Sequence, residues 1–263
     1  MKNKHLNLFA ALLAPFALSS QAGAAWTFNA PDIVLGFQAS AGQGSTTNLF
    51  FNLGNSVNFN VNGGVVGNIN ADLTTAFGMG WAGRTDLFFG AFGNRSNLSP
   101  GTDPGDPSMG IEPGRTVYLS KPTVIIGASA LNPTFTSGSL GIPASAYAGL
   151  RTNLPQFSET VEADGVSSIN QTANPVFWAN SWTVRVPFAG QAFTNLGIIQ
   201  QTFGPAGVAT IDIQRMTPSV ATTYVGSVQI FDNGDIAMVP EPSTSLLGAA
   251  AISILAFRRR RNA

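Results

Sequence analysis

The sequence contains no cysteine, and its single histidine, His5, stands close to the amino terminus. A chain without cysteine has no disulfide framework, so packing or bound ions must hold a folded domain together. If the first 24 residues are removed, the remainder has neither His nor Cys. This excludes Ser-His-Asp and Cys-His nucleophilic sites, proton transfer by histidine, and zinc sites built from His or Cys. We therefore expect a protein that has no cofactor and is not an enzyme.

Charged residues are also scarce, at 10% of the chain. The 13 basic and 13 acidic residues balance formally, but six of the basic ones lie at the two ends, as Lys2, Lys4 and Arg258–Arg261. Without these six, seven basic residues face thirteen acidic ones. Nucleic-acid binding depends on clusters of Lys and Arg, so we expect no nucleic-acid partner.

The first 24 residues have the three parts of a secretory signal. A basic region, an apolar region and a small-x-small cleavage site follow one another as Lys2, Lys4 and His5, then residues 6–18, then Ala22-Gly23-Ala24. We expect secretion machinery to recognise this segment, with Ala22 and Ala24 as the signal-cleavage residues. The exported chain would then begin near Ala25.

Long hydrophobic runs are absent from the rest of the chain except near its end, where Leu246–Phe257 carries no charge. As a helix these twelve residues would span ~18 Å, whereas crossing a bilayer takes about 20 apolar residues. This length favours temporary retention in a membrane. The following Arg258–Arg261 would remain on the cytoplasmic side. The preceding Pro240-Glu241-Pro242 would lie outside as a stiff extended strip, since proline fixes φ and has no backbone N–H.

The order of these three parts at the carboxyl end resembles the PEP-CTERM sorting signal of Gram-negative bacteria. The resemblance covers Val239–Ala263, with Pro240, Glu241 and Pro242 as the sorting motif and Arg258, Arg259, Arg260 and Arg261 as the cytoplasmic stop. It implies an exosortase-type membrane enzyme as partner, which would remove the tail and release or attach the protein. The alternative reading is a plain C-terminal membrane anchor that follows two prolines.

Between these ends, residues 25–238 have the pattern of a mainly β body. Many short strands with Gly-rich turns predict a β-sandwich or jelly-roll-like fold with one or two short helices. An N-terminal signal helix and a C-terminal hydrophobic helix would flank it. The three predicted regions are therefore 1–24, 25–238 and 239–263.

The strongest local patterns are hairpins. Residues 26–37 and 46–53 flank a Gly/Ser cluster, and residues 224–231 and 236–239 flank Asn233-Gly234, which predicts a type I′ turn. Strands are further predicted at residues 85–92, 182–186 and 209–216, and residues 115–119 and 123–126 are predicted to be short strands or extended segments.

Two segments favour helices. Residues 68–78 have an apolar stripe that ends at Gly78, with Asn70 as the expected cap. Residues 143–150 begin with Pro143, which suits a first turn. Three short runs, Asp32–Phe37, Asp212–Pro218 and Tyr224–Ser227, also look like surface proteins that share the tail described above.

Candidate ligand-binding residues are few. A glycosidase needs two carboxylates about 5–10 Å apart, but no spacing selects a pair from Asp86, Glu112, Glu159, Glu162 and Asp164. Acids cluster in Asp103–Asp106 and Asp232–Asp235, where calcium finds oxygen ligands. Neither cluster has the spacing of an EF-hand loop, and a hairpin turn accounts for the second one. We therefore predict no metal-binding residue.

Aromatic and Asn residues allow two further readings. Trp81, Trp178 and Trp182 suit either a β core or a platform on which sugars stack, and core packing is favoured. Three Asn-x-Ser/Thr triplets, which begin at Asn94, Asn97 and Asn170, match the glycosylation pattern at a level that chance explains.

These observations predict a non-enzymatic exported protein that is held briefly at the inner membrane and then reaches the cell surface or the extracellular matrix. We expect a structural or adhesive role, with exopolysaccharide or biofilm material as a candidate setting and polysaccharide as a candidate partner. The alternative is a carbohydrate-binding module or a carboxylate-dependent glycan enzyme on the same β body. Exposed tryptophans beside two carboxylates would favour that alternative, and buried tryptophans would count against it.

Overall fold

The computed structural model describes residues 32–56, 64–94, 115–153, 165–173, 175–178, 181–186, 198–203 and 207–240. These residues form ten strands and four helices. The strands are β1 (Asp32–Ala39), β2 (Thr47–Asn55), β3 (Gly64–Asn68), β4 (Leu87–Asn94), β5 (Val117–Thr123), β6 (Val166–Asn170), β7 (Gln201–Thr202), β8 (Val208–Met216), β9 (Thr223–Phe231) and β10 (Asp235–Pro240). The helices are α1 (Asn70–Phe77), α2 (Ser137–Asn153), α3 (Pro175–Trp178) and α4 (Trp182–Arg185).

All ten strands belong to one antiparallel sheet, so the mainly β prediction is confirmed. Its order is β3-β10-β9-β8-β5-β4-β1-β2-β6, and the short β7 pairs with β4. The sheet curls into a half-barrel. The curl brings β3, at one edge, against β2, near the other edge: a Cβ on Gly67 would lie 2.6 Å from the ring of Phe51.

The inner face of the half-barrel holds the larger core. Alternate residues of β1, β2, β4, β8, β9 and β10 point into it, as period-2 alternation requires. Helix α1 closes this core with Leu73 and Phe77, and Trp81 packs beside them in the 3-10 turn Trp81–Gly83. The outer face carries a second core, where α2 and Trp182 cover Val34, Phe50 and Phe92. Both faces of much of the sheet are therefore buried.

The predicted first hairpin is confirmed, because β1 pairs with β2 through Phe37 opposite Leu49. The predicted helix at residues 68–78 is also confirmed as α1. Its expected cap is wrong: Asn70 is the first helical residue, and Ile69 occupies the N-cap position without a side-chain hydrogen bond. The Asn70 amide oxygen instead accepts a hydrogen bond from the Trp81 indole.

Two predictions for the second half of the chain need correction. Residues 182–186 are not a strand, since Trp182–Arg185 forms a helical turn in which Trp182 and Val186 are buried and Val184 is 53% exposed. The second helix exists but begins at Ser137, so Pro143 lies inside α2 and not in its first turn. Burial of one α2 face against the sheet outweighs the cost of that internal proline.

Candidate functional site

The only predicted sorting residue that the structure describes is Pro240, the last residue of β10. This strand pairs with β9 from Ile236 opposite Ile230 to Pro240 opposite Gly226. On its other side β10 pairs with β3 only as far as Met238. A proline fits the end of a strand because it has no N–H to donate to the ladder. The paired body therefore runs directly into the Pro-Glu-Pro motif.

The other predicted sorting residues lie outside the described residues. These are Glu241, Pro242 and Arg258, Arg259, Arg260 and Arg261, together with the signal-cleavage residues Ala22 and Ala24. The two membrane-directed segments and the resemblance of the tail therefore remain predictions. Among the described helices, none combines the length and the apolar character needed to span a membrane.

The predicted hairpin of β9 and β10 is confirmed, but its turn differs from the predicted type I′ turn. Such a turn needs positive φ at both central residues, whereas Gly234 has a φ of 83° and Asn233 is not among the residues with positive φ. The Gly234 N–H donates to the Phe231 carbonyl, 2.9 Å away. This is the geometry of a three-residue loop in which a type I turn precedes a left-handed glycine.

The acids of this turn have structural partners. The Asp235 carboxylate accepts hydrogen bonds from the side-chain amides of Asn68 at 2.7 Å and Asn233 at 2.8 Å, and these bonds lower the pKa of Asp235. The Asp232 N–H donates to the Gly207 carbonyl. Within the described ranges, no three Asp, Glu, His or Cys side chains gather into a potential metal site. The Asp103–Asp106 loop lies outside those ranges.

The candidate catalytic carboxylate Asp86 is held in an ion pair. Arg84 binds both of its oxygens, at 2.9 and 2.8 Å, and this contact lowers the pKa of Asp86 and raises the pKa of Arg84. The same guanidinium donates to the carbonyls of Ala41, Gln43 and Phe77. Arg84 therefore joins the β1–β2 turn to the end of α1. Glu112, Glu159, Glu162 and Asp164 lie outside the described residues.

A buried carboxylate that the sequence pattern did not reveal is Asp212, in β8. It is fully buried and accepts hydrogen bonds from the backbone N–H groups of Gly127 and Ser129, both at 2.9 Å, and from the Ser227 hydroxyl. Alternation as in Ile211-Asp212-Ile213 is typical of a strand whose polar side chains face solvent. The outer face is covered here by the loop after β5, and long-range packing of this kind has no local sequence signal.

That loop, residues 124–130, overlaps the short strand or extended segment predicted at 123–126, of which only Thr123 lies in a strand. β5 ends at Thr123, and Val124 and Ile125 are then 94% and 65% exposed. They line a shallow open groove of about 480 Å³, which also involves Pro122, Ala128 and Gln201. A short continuous apolar run such as Val124-Ile125-Ile126 is also found in buried strands, so its periodicity does not distinguish a turn from a strand.

The three tryptophans that the structure describes, Trp81, Trp178 and Trp182, do not form the exposed platform that glycan binding needs. Trp81 is 1% exposed and Trp182 is fully buried. The indole N–H of Trp182 donates to the side-chain oxygen of Gln200 at 3.0 Å. Trp178 is partly buried and packs against the outer core. This arrangement counts against the carbohydrate-binding alternative.

Two of the three glycosylation triplets begin with an Asn whose side chain makes hydrogen bonds within the fold. Asn94 is 2% exposed, and its amide donates to the Ala144 carbonyl at 3.3 Å. The Asn170 side chain bonds the Thr47 hydroxyl and accepts from the N–H of Thr172. Asn97 lies outside the described residues.

A scan of protein-family models and searches of curated proteins and of solved structures find no match to this chain.

Proposed function

We propose that this chain is a non-enzymatic exported protein that is sorted and processed through its C-terminal segment. The observation that carries the proposal is the continuity between β10 and the Pro-Glu-Pro motif, with Pro240 as both the last strand residue and the first motif residue. A folded body that ends at its processing signal leaves a short tail to be removed. A cut after Pro240 would leave every described core residue in the body.

Two parts of the tail, the apolar segment and the arginine cluster, would each contribute to sorting. Its twelve-residue apolar segment would hold the precursor at the inner membrane, and the arginine cluster would keep its end on the cytoplasmic side. An exosortase-type enzyme would then cut beside Glu241. The body would be released to the exterior or attached to the cell surface.

The state of the described carboxylates supports a structural or adhesive role for the body. Asp86 is paired with Arg84, Asp235 is held by two amides, and Asp212 is buried among neutral donors. Each of these acids stabilises a turn or a loop of the fold. A general acid or base requires a proton-exchanging group with access to a substrate, and these three acids serve the scaffold.

Mass spectrometry of the mature protein from its native host tests the proposal. We expect a carboxyl terminus within residues 239–242 and loss of the following segment. Replacement of Pro240, Glu241 and Pro242 by alanine should retain the tail and leave the protein in the membrane fraction. A matched control, with Arg258–Arg261 changed to lysine, keeps the positive charge and should be processed normally. An intact Ala263 on most wild-type molecules would contradict the proposal.

A further inference from the structure

Both ends of the described body leave from the same end of the sheet, which we call the exit end. Ile33, at the start of β1, is linked through the cross-strand pairs of β4, β5 and β8 to Thr223, the first residue of β9. β10 runs toward this end, and its last residue, Pro240, lies opposite Gly226. The exit end therefore includes the start of β1 and the β8–β9 turn, residues 217–222.

The β8–β9 turn extends beyond the point where β10 ends. Past Gly226, β9 continues through three more residues to Thr223, which adds about 10 Å before the turn is reached. Six Cα–Cα steps separate Pro240 from Leu246, the first residue of the predicted apolar segment. Those steps span at most about 20 Å when fully extended. The apolar layer of a membrane that holds Leu246 therefore begins at most about 10 Å beyond Thr223 along the strand direction, which is within reach of the turn.

The surface of this turn suits contact with lipid headgroups. Its sequence, Thr217-Pro218-Ser219-Val220-Ala221-Thr222, carries no charge, and Val220 is 49% exposed. The turn is also fixed to the body. The Ser219 N–H donates to the Phe135 carbonyl at 2.8 Å, and the Thr222 hydroxyl donates to the Pro133 carbonyl at 3.1 Å. A rigid uncharged turn can lie against a bilayer without losing conformational freedom or desolvating a charge.

We propose that the unprocessed protein is held with its exit end against the bilayer and that the β8–β9 turn contacts the lipid surface. The opposite end, with Val124 and the Asp232–Gly234 turn, faces away from the membrane. This orientation rests on the proposed function, because it requires the apolar tail to be inserted. It presents Pro240 to a membrane-bound processing enzyme beside the lipid surface, while the groove at Val124 stays in water.

The absence of cysteine allows a direct test with single labels. Val220→Cys at the exit end and Val124→Cys at the opposite end each receive one fluorophore in the full chain, with Ala221→Cys and Ile125→Cys as a second pair. The labelled chain is reconstituted into phosphatidylcholine vesicles that contain a nitroxide-headgroup lipid as quencher. Val124 is the more exposed of the first two side chains, at 94% against 49%. It is therefore the stricter control for random collisions with quencher.

We expect several-fold stronger quenching at Val220 and Ala221 than at Val124 and Ile125. Equal quenching at the two ends, or stronger quenching at Val124, in chains that float with the vesicles would overturn the orientation and leave the sorting proposal intact. Chains that do not float with the vesicles would contradict tail insertion and, with it, the orientation. Flotation and quenching therefore separate the two ideas.

Discussion

The indole ring of Trp182 lies directly on the α-carbon of Gly36. A Cβ added at Gly36 would come within 2.2 Å of the ring, closer than any side chain tolerates. Trp182 is fully buried at this contact, and Phe50 meets it edge-on with ring centroids 6.2 Å apart. The short helical turn α4 is thereby fixed to the outer face of β1.

Gly36→Ala should therefore destabilise the protein by overpacking, by about 1–3 kcal/mol. Chemical denaturation of the detergent-solubilised full chain measures the change in unfolding free energy. Gly80→Ala is the matched control, since a Cβ there meets nothing within 4 Å. Combining Gly36→Ala with Trp182→Phe should recover part of the loss, because the smaller ring leaves room for the methyl group. Strictly additive losses would argue against a direct contact.

Arg84 should be more important for stability than an ordinary surface arginine. It donates to both Asp86 oxygens and to the Ala41, Gln43 and Phe77 carbonyls. Arg84→Ala removes all of these bonds and should lower the unfolding free energy by about 1.5–3 kcal/mol. Arg84→Lys should recover little, because an ammonium cannot reproduce the planar fork of a guanidinium. Full stability in the lysine variant would contradict the proposed role of this geometry.

Acid should weaken the fold through Asp86. Contact with Arg84 lowers the pKa of Asp86 below its ordinary value of 3.8. A carboxyl group with a lowered folded-state pKa stabilises the protein above its unfolded-state pKa and loses that contribution as pH falls through the folded-state value. Unfolding free energy measured from pH 6 downward should therefore decline in acid. Asp86→Asn should flatten the part of the decline that Asp86 causes, and an unchanged slope would show that other groups dominate.

Asp212 should hold the loop of residues 124–130 in place. Its carboxylate accepts from the Gly127 and Ser129 N–H groups, so Asp212→Ala leaves those donors without partners and should cost about 1–3 kcal/mol. Amide hydrogen exchange at these two residues should accelerate selectively. Gln229→Ala is a suitable control, because its side chain donates to the Thr210 hydroxyl over a long 3.4 Å and does not contact the loop donors of Asp212 in the described residues. Unchanged exchange at Gly127 would contradict the anchoring role.

The sequence predicts the parts of this fold that depend on local patterning. The β9–β10 hairpin, β8 and helix α1 carry period-2 or period-3.6 signals together with Gly punctuation, and each forms where it is expected. Trp182–Val186 alternates like a strand but folds as a helical turn. Its large ring gains more by lying on Gly36 than it would by extending a sheet.

The site could be predicted only in part, for a similar reason. The Pro-Glu-Pro motif can be recognised from the sequence alone. The structure adds that the pairing of β10 with β9 extends to Pro240. The burial of Asp212 could not be predicted, because the loop that supplies its donors lies more than 80 positions away in the sequence. Local patterning contains no information about which face of a strand a distant loop will cover.

The place of β10 in the sheet also determines when the fold can be completed. β3 is an edge strand whose only partner among the described strands is β10, and Asn68 bonds Asp235 across 167 positions of sequence. During synthesis, β3 and the helix that follows it emerge long before their partner exists. Closing so long a loop is entropically costly, and folds dominated by distant pairings form slowly. The described half-barrel can therefore close only after nearly the whole body has been made, because β10 is the last of its described strands in chain order.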